Sequence, residues 1–169
     1  LGDIYGKVQD GRRLDLNDGL RLFACPDVTA VGALAHTVRT RRHGTAAYYV
    51  MNQHLNYSNI CVNGCRFCAF GKERGDPLAF ELSVSGILEK IKKREPEHLT
   101  EIHVVGGCHP DLPLSYYESM LRELKAFCPH TVMKAFTAVE IDHFARLAGL
   151  STHAVLVRLK AAGLDLMPG

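Results

Sequence analysis

The sequence has 169 residues, 47% hydrophobic and 22% charged, an ordinary globular composition with enough apolar content to bury one core. Its formal net charge is +2 and the charges are scattered, so it lacks the broad basic face of a nucleic-acid binder. No apolar run approaches the roughly 20 residues of a membrane span, no charged-then-apolar leader opens the sequence, and six cysteines are too few for a disulfide scaffold. The expectation is a cytoplasmic protein that binds neither nucleic acid nor membrane.

Residues 14–43 read as two helices. The first, around Asn17 to Ala24, carries Leu16, Leu20 and Phe23, and Pro26 breaks it. The second runs from about Val28 to Arg42, with Val31, Leu34, Ala35 and Val38 as its apolar stripe. Gly44 ends it. The basic knot of Arg39, Arg41, Arg42 and His43 reads as the solvated end of that helix rather than as an anion site. AYYV (47–50) and HLNYSN (54–59) are rich in β-formers and read as short strands. Ser83 caps a helix near 84–94, with Ile87, Leu88 and Ile91 facing inward. EIHVVGG (101–107) reads as a buried strand. SYYE (115–118) has the form of a capping box, followed by Tyr117, Met120, Leu121, Leu124 and Phe127 at helical spacing, with Pro129 after them. TVMKAF (131–136) is the next strand, and TAVE (137–140) is a second capping box that opens a helix to about Leu147. Ser151 starts a last helix with Val155, Leu156 and Leu159 inward, and Gly163 closes it.

Alternating strand and helix implies parallel pairing through right-handed crossovers. A doubly wound sheet and a (β/α) barrel both fit the pattern. Three such units do not close a barrel, which takes about 250 residues. The expected fold class is α/β: an N-terminal helical extension over 1–45 and, over 46–169, the first part of a truncated (β/α) barrel.

The stretch NICVNGCRFCAFG (59–71) places Cys61, Cys65 and Cys68 at C-x3-C-x2-C spacing. Crowded thiols without a secretion signal read as a metal or redox site in a reducing compartment. Structural zinc takes four closed ligands, and Cys108 or His109 could supply the fourth. An iron–sulfur cluster is held by thiolates, normally four, so three would leave one iron open. Asn63 and Gly64 allow the turn, and the aromatic Phe67 before the last cysteine is harder to explain by zinc alone. The loop therefore reads as a cluster site first, with a non-catalytic zinc-binding module as the alternative from a different class.

C-x3-C-x-φ-C with an aromatic φ, directly after a strand, resembles the radical S-adenosylmethionine superfamily. The resemblance implies that Cys61, Cys65 and Cys68 hold a four-iron four-sulfur (4Fe-4S) cluster whose open iron is chelated by S-adenosylmethionine. One electron from the cluster would then cleave the cofactor to a 5′-deoxyadenosyl radical. VVGGCHPDLPLSYYESML (104–121) supplies Gly106 and Gly107 in the place of the superfamily's glycine-rich motif, by the methionine amino group, where a Cβ would block close backbone approach. A plain turn after a strand is the alternative. Phe67 would sit by the adenine, against ordinary packing as the alternative.

With KAFTAVEIDHFARLAGLS (134–151), HLNYSNICVNGCRFCAF and GDPLAFELS, the chain is similar to the aminofutalosine synthase family of the futalosine route to menaquinone. The cyclic dehypoxanthine futalosine synthases and the tyrosine-using F0 synthase subunit are close to it, and Thr137–Ala138, where those relatives tend to have SP, favours the first. The activity implied is a transferase reaction: the 5′-deoxyadenosyl radical adds to 3-[(1-carboxyvinyl)oxy]benzoate and gives 6-amino-6-deoxyfutalosine. S-adenosylmethionine is consumed as cosubstrate, and the partner is a one-electron donor such as flavodoxin or ferredoxin. A chain without the rest of the barrel is expected to hold the cluster without completing turnover.

The resemblance also gives Thr137 and Glu140 a place near the cofactor ribose or substrate, although a capping box explains both without any ligand. Asn59 and His109 face the same end and are expected to bind substrate. Arg74, in KERGD, would meet a substrate carboxylate, with a solvated loop arginine as the plain alternative. Cys108 reads as a packed strand-end thiol, Cys25 and Cys128 as core cysteines, and His143 and His153 as helix-surface or packing residues. No catalytic acid or base is assigned.

Overall fold

A computed structural model describes residues 1–93 and 98–169 of the chain. The chain divides into two compact units, Leu1–Tyr49 and Val50–Gly169.

The first unit holds three helices, α1 (Gly2–Gln9), α2 (Leu16–Phe23) and α3 (Val28–His43). Ile4, Val8 and Leu34 are its buried core, with Leu14, Leu22 and Val38 packed against them. The Asp15 side chain accepts from the Asp18 amide and the Asp18 side chain accepts from the Asp15 amide, each at 3.0 Å, a reciprocal cap for α2. Buried Asp18 also receives the Lys7 ammonium at 2.6 Å. The stripe expected on α2 does not form core: Leu16, Leu20 and Phe23 are exposed, and Leu22 is the side chain that packs. Cys25 is half-buried rather than core. The basic knot is not simply solvated. Arg41 donates to the carbonyls of Val8 (2.8 Å) and Gln9 (3.1 Å), which end α1, and Arg39 donates to those of Gly44 and Ala46.

The second unit runs β1 (Asn52–Leu55), α4 (Val84–Lys92), β2 (Glu101–Val104), α5 (Leu114–Phe127), β3 (Val132–Ala135), α6 (Ala138–Ala148) and α7 (Thr152–Ala162). Its sheet has the order β1-β2-β3 with both pairings parallel, so each connection crosses over through a helix-bearing segment. Leu55, Val104 and Ala135 share one register row and are buried, as are Ile102 and Met133. They pack with Ile87, Ile91, Tyr117, Leu121, Leu124, Phe144 and Leu159 from the helices. Each such Leu or Ile contributes about 1.5–3 kcal/mol on leaving water. Cys128 belongs to this core, as expected.

Several expected boundaries move. AYYV (47–50) is not a strand, and β1 begins at Asn52 and leaves the sheet after Leu55. The reason is that Tyr57 and Asn59 pair with another segment: Leu82 N–H donates to the Tyr57 carbonyl at 2.8 Å, and Asn59 N–H to that of Phe80 at 3.3 Å. β2 stops at Val104, short of the glycines. Ser83 caps α4 by accepting from the Gly86 amide at 3.1 Å, and residue 94 of the expected helix lies outside the described residues. SYYE is not a capping box, because α5 starts at Leu114 behind Pro113 and leaves Ser115 inside the first turn. TAVE is one, with Thr137 and Glu140 capping reciprocally. Ser151 caps α7, and Gly149 and Gly163 end α6 and α7 in the left-handed region. Among the described residues no helix is long and apolar enough to cross a membrane.

Candidate functional site

The segment after β1 carries the three cysteines on a loop held at both ends. Cys61 N–H donates to the Lys72 carbonyl at 3.0 Å, and Lys72 N–H to that of Asn59 at 2.8 Å. Cys68 N–H donates to the Cys65 carbonyl at 3.0 Å, and Gly64 takes φ 54° in the turn between Cys61 and Cys65. All three thiols are free: Cys61 is half-buried, Cys65 and Cys68 exposed. Two backbone amides are aimed at sulfur, Gly71 N–H at Cys68 Sγ (3.2 Å) and Cys108 N–H at Cys61 Sγ (3.4 Å). Hydrogen bonds to the sulfurs are among the contacts by which a protein tunes a thiolate-held cluster. Among the described residues no three His, Cys, Asp or Glu side chains are gathered closely enough to hold a metal ion, so the thiols share one loop without forming a shell.

Cys108 is buried, and its Sγ accepts from Asn63 Nδ2 at 3.2 Å. Burial, with Cys61 and Glu140 nearby, pushes its thiol up to about 11, so it stays protonated at neutral pH.

The glycine pair after β2 abuts the entry to this loop. A Cβ on Gly106 would lie 2.5 Å from Tyr57 Cζ, and one on Gly107 2.1 Å from the Ile60 carbonyl oxygen. The close approach that requires glycine here is therefore made by the protein's own chain. Gly107 N–H donates to the Ser58 carbonyl at 2.9 Å, and Val62 N–H to that of Cys108 at 3.1 Å.

Tyr57 and Glu140 hold the strand ends together. The buried Tyr57 hydroxyl lies 2.9 Å from Glu140 Oε1 and 3.0 Å from the Gly107 carbonyl. Glu140 Oε1 also accepts from Gly106 N–H at 3.1 Å, while Oε2 accepts from the Thr137 amide (2.7 Å) and hydroxyl (2.8 Å). One buried carboxylate thus joins the chain leaving β1, β2 and β3. Burial, and then the Glu140 charge, push the Tyr57 phenol far above its ordinary value and keep it a donor.

The other expected site residues divide. Phe67 is fully exposed. Asn59 is buried, its Oδ1 accepting from Phe80 N–H (2.7 Å) and its Nδ2 donating to the Leu78 carbonyl (2.9 Å). His109 is buried, with Nδ1 accepting from the amides of Asp111 and Leu112, each at 3.1 Å. Its Nε2 is 2.8 Å from Glu81 Oε2 but misaligned for a hydrogen bond, and burial holds the ring below its ordinary range. His143 Nε2–H donates to the His109 carbonyl at 2.8 Å, whereas His153 is exposed. Arg74 pairs with Asp111, both more than half exposed. The fold thus brings Cys61, Cys68, Gly106 and Gly107 together, with Thr137 and Glu140 as struts behind the glycines.

Two features escaped the sequence reading. Tyr57 filled the space that the glycines leave, and no motif marks it. The second face of the sheet carries His54, Glu101, His103 and Lys134, and the period-two alternation of EIHV and VMKA is the signal that exposes it.

Residues 55–167 match the family described as the radical SAM superfamily. The chain belongs to that superfamily, whose members use a four-iron four-sulfur cluster and S-adenosylmethionine. It is 42% identical over 99% of its length to the aminodeoxyfutalosine synthase of Streptomyces coelicolor, of which it covers 43%. It is 34% identical over its whole length to the cyclic dehypoxanthine futalosine synthase of Halalkalibacterium halodurans, covering 46% of that protein. The chain spans less than half the length of these relatives. The fold is also that of the FeFe-hydrogenase maturase HydG from Carboxydothermus hydrogenoformans, with a TM-score of 0.65 at 20% identity over 98% of this chain and 46% of that one. The residues present fit the family's group: three free thiols on one loop, with amide donors on two of the sulfurs.

Proposed function

We propose that this chain is the part of an aminodeoxyfutalosine-forming transferase that holds the cluster and S-adenosylmethionine and initiates reaction on 3-[(1-carboxyvinyl)oxy]benzoate. The observation that carries this reading is the C-x3-C-x2-C loop directly after β1, with its first sulfur met by the Cys108 amide beside Gly106 and Gly107. The 42% identity to an aminodeoxyfutalosine synthase, against 34% to a cyclic dehypoxanthine futalosine synthase, supports this choice of substrate.

When bound, the cluster and S-adenosylmethionine supply a one-electron cleavage that yields a carbon radical. Cys61, Cys65 and Cys68 would be its thiolate ligands, and three thiolates leave one iron for the cofactor. Gly106 and Gly107, packed against Tyr57 and the Ile60 carbonyl, would fix the strand end that lies by the methionine end, and Phe67, free of packing, is available to the adenine. Thr137 and Glu140 act by fixing the glycine strand end. Asn59 and His109 hold the loop through backbone groups, and Arg74 is the exposed cation for a substrate carboxylate. A flavodoxin or ferredoxin would deliver the electron. The reading places the protein in the cytoplasm, where thiols stay reduced.

Anaerobic reconstitution followed by electron paramagnetic resonance tests it. The expected result is a reduced four-iron signal that shifts when S-adenosylmethionine is added. Product mass with the enol ether then decides the substrate. Stoichiometric zinc without iron would end the reading.

A further inference from the structure

Parallel sheets are normally apolar on both faces, because both are covered. This sheet is apolar on one face only. Leu55, Ile102, Val104, Met133 and Ala135 point into the core, and the residues between them point the other way. On that second face one register row reads His54, His103, Lys134, one residue from each strand. Asn52, Glu101 and Val132 make the neighbouring row.

Two members of the row are partly withdrawn from water, and His54 at its edge is exposed. The His103 and Lys134 side chains are 23% and 31% exposed. The His54 and His103 rings lie 5.4 Å apart between centroids. His103 Nδ1 and Lys134 Nζ each stand 4.0 Å from a Glu101 oxygen, beyond hydrogen-bond reach. Asn52 Nδ2 donates to Glu101 Oε1 at 3.3 Å, so that carboxylate is partly occupied. Among the described residues, neither imidazole nor the ammonium has a hydrogen-bond partner. His103 and Lys134 are half-buried and His54 is exposed, so the row presents its nitrogen groups to the space over this face. Burial, then Lys134 and His54, hold the His103 imidazole below its ordinary range, which leaves it a neutral hydrogen-bonding ring beside one fixed cation.

We propose that this row, His54, His103 and Lys134, is a binding wall for a carboxylate of the small-molecule substrate. An ammonium and two imidazoles offer N–H donors to an acceptor-only group, and the Glu101 carboxylate stands in the next row and disfavours a second anion there. The row lies on the strands whose C-terminal ends lead to the cysteine loop and the glycine pair, the end at which parallel α/β folds bind ligands. The proposal rests on the functional reading above for the identity of the substrate, but not for the chemistry of the wall.

Calorimetric titration of the reconstituted protein with 3-[(1-carboxyvinyl)oxy]benzoate, with its dimethyl ester and with benzoate tests it. Lys134→Met and His103→Leu should each weaken binding of the diacid about tenfold. Lys134→Arg should restore most of it, His103→Gln less, and the shift of the cluster signal on adding S-adenosylmethionine should be unchanged. The ester should bind weakly to every form. Diacid affinity unchanged in both Lys134→Met and His103→Leu would overturn the proposal, as would tight binding of the ester or no binding of any carboxylate by the unmutated protein. Binding of benzoate but not the enol ether, with the same dependence on Lys134, would keep the wall and remove the substrate assignment. Absence of any cluster response would remove the radical reading while the carboxylate titration still reports on the wall.

Discussion

At Gly106 and Gly107 the constraint is space rather than backbone dihedral. Neither residue has positive φ, yet a Cβ at Gly107 would enter the Ile60 carbonyl at 2.1 Å, a backbone atom that cannot swing aside. Gly107→Ala should therefore cost more than about 3 kcal/mol in urea unfolding, or move the cysteine loop. Gly32, inside α3, is the opposite case, with nothing within 4 Å of its Cβ position. Gly32→Ala should raise stability by about 0.5–1 kcal/mol. Phe136 shows a third constraint. It has φ 61° without being glycine, which costs about 1–2 kcal/mol, and it is held there by a fully buried ring set edge-on to Tyr57, Tyr117 and Phe144. Phe136→Ala should lose about 3–5 kcal/mol by the same denaturation, and Phe136→Gly should lose no more, because its backbone suits that conformation.

Between elements, the buried carboxylate of Glu140 is the tie that joins three strand ends. Its removal leaves the Gly106 and Thr137 amides without their acceptor and the Tyr57 hydroxyl with the Gly107 carbonyl alone. Glu140→Ala should cost about 3–5 kcal/mol in thermal or urea unfolding, and Tyr57→Phe, which loses one hydroxyl and keeps the ring, about 1–2 kcal/mol. A second tie joins α5 to α7, where Arg158 Nε and Nη2 donate to the two oxygens of Glu118 at 2.7 and 2.9 Å. The Arg158 bonds hold the Glu118 carboxyl below its ordinary range against the opposing effect of burial. A carboxyl whose folded pKa is depressed adds stability above its unfolded value, and that increment is lost as pH falls through the folded value. Glu118→Gln should thus lower the melting temperature at neutral pH and flatten its fall below about pH 4, the ordinary glutamate range. Parallel melting curves for the two proteins across the acid range would refute that assignment.

Over the whole molecule, what was legible followed from periodicity and local chemistry. The alternation of strand and helix, the caps at Ser83, Thr137 and Ser151, and the three-cysteine loop are signals carried by a few adjacent residues. What was not legible depended on distant partners. AYYV has strand-forming residues but no neighbour to pair with, and Ser115 lost its cap because Pro113 starts the helix earlier. Nothing local says that Leu22, and not Leu20, packs against Ile4 and Val8. The two cores differ greatly in size, and this leads to a last prediction. The first unit is built on three buried side chains, Ile4, Val8 and Leu34, whereas the second is built on the sheet and four helices. A unit of fewer than about 60 residues with so little core is marginal by itself. Tyr48 and Tyr49 are exposed, outside any helix or strand, at the boundary between the units. Exposed backbone without ladder bonds is where a protease cuts first. Brief chymotrypsin treatment should therefore cleave after Tyr48 or Tyr49 and leave a resistant piece that begins at about residue 50 and keeps its helical circular dichroism. The released first unit should be digested further. First cuts within β2, α5 or β3, or equal survival of both pieces, would show that stability is not divided between the cores in this way.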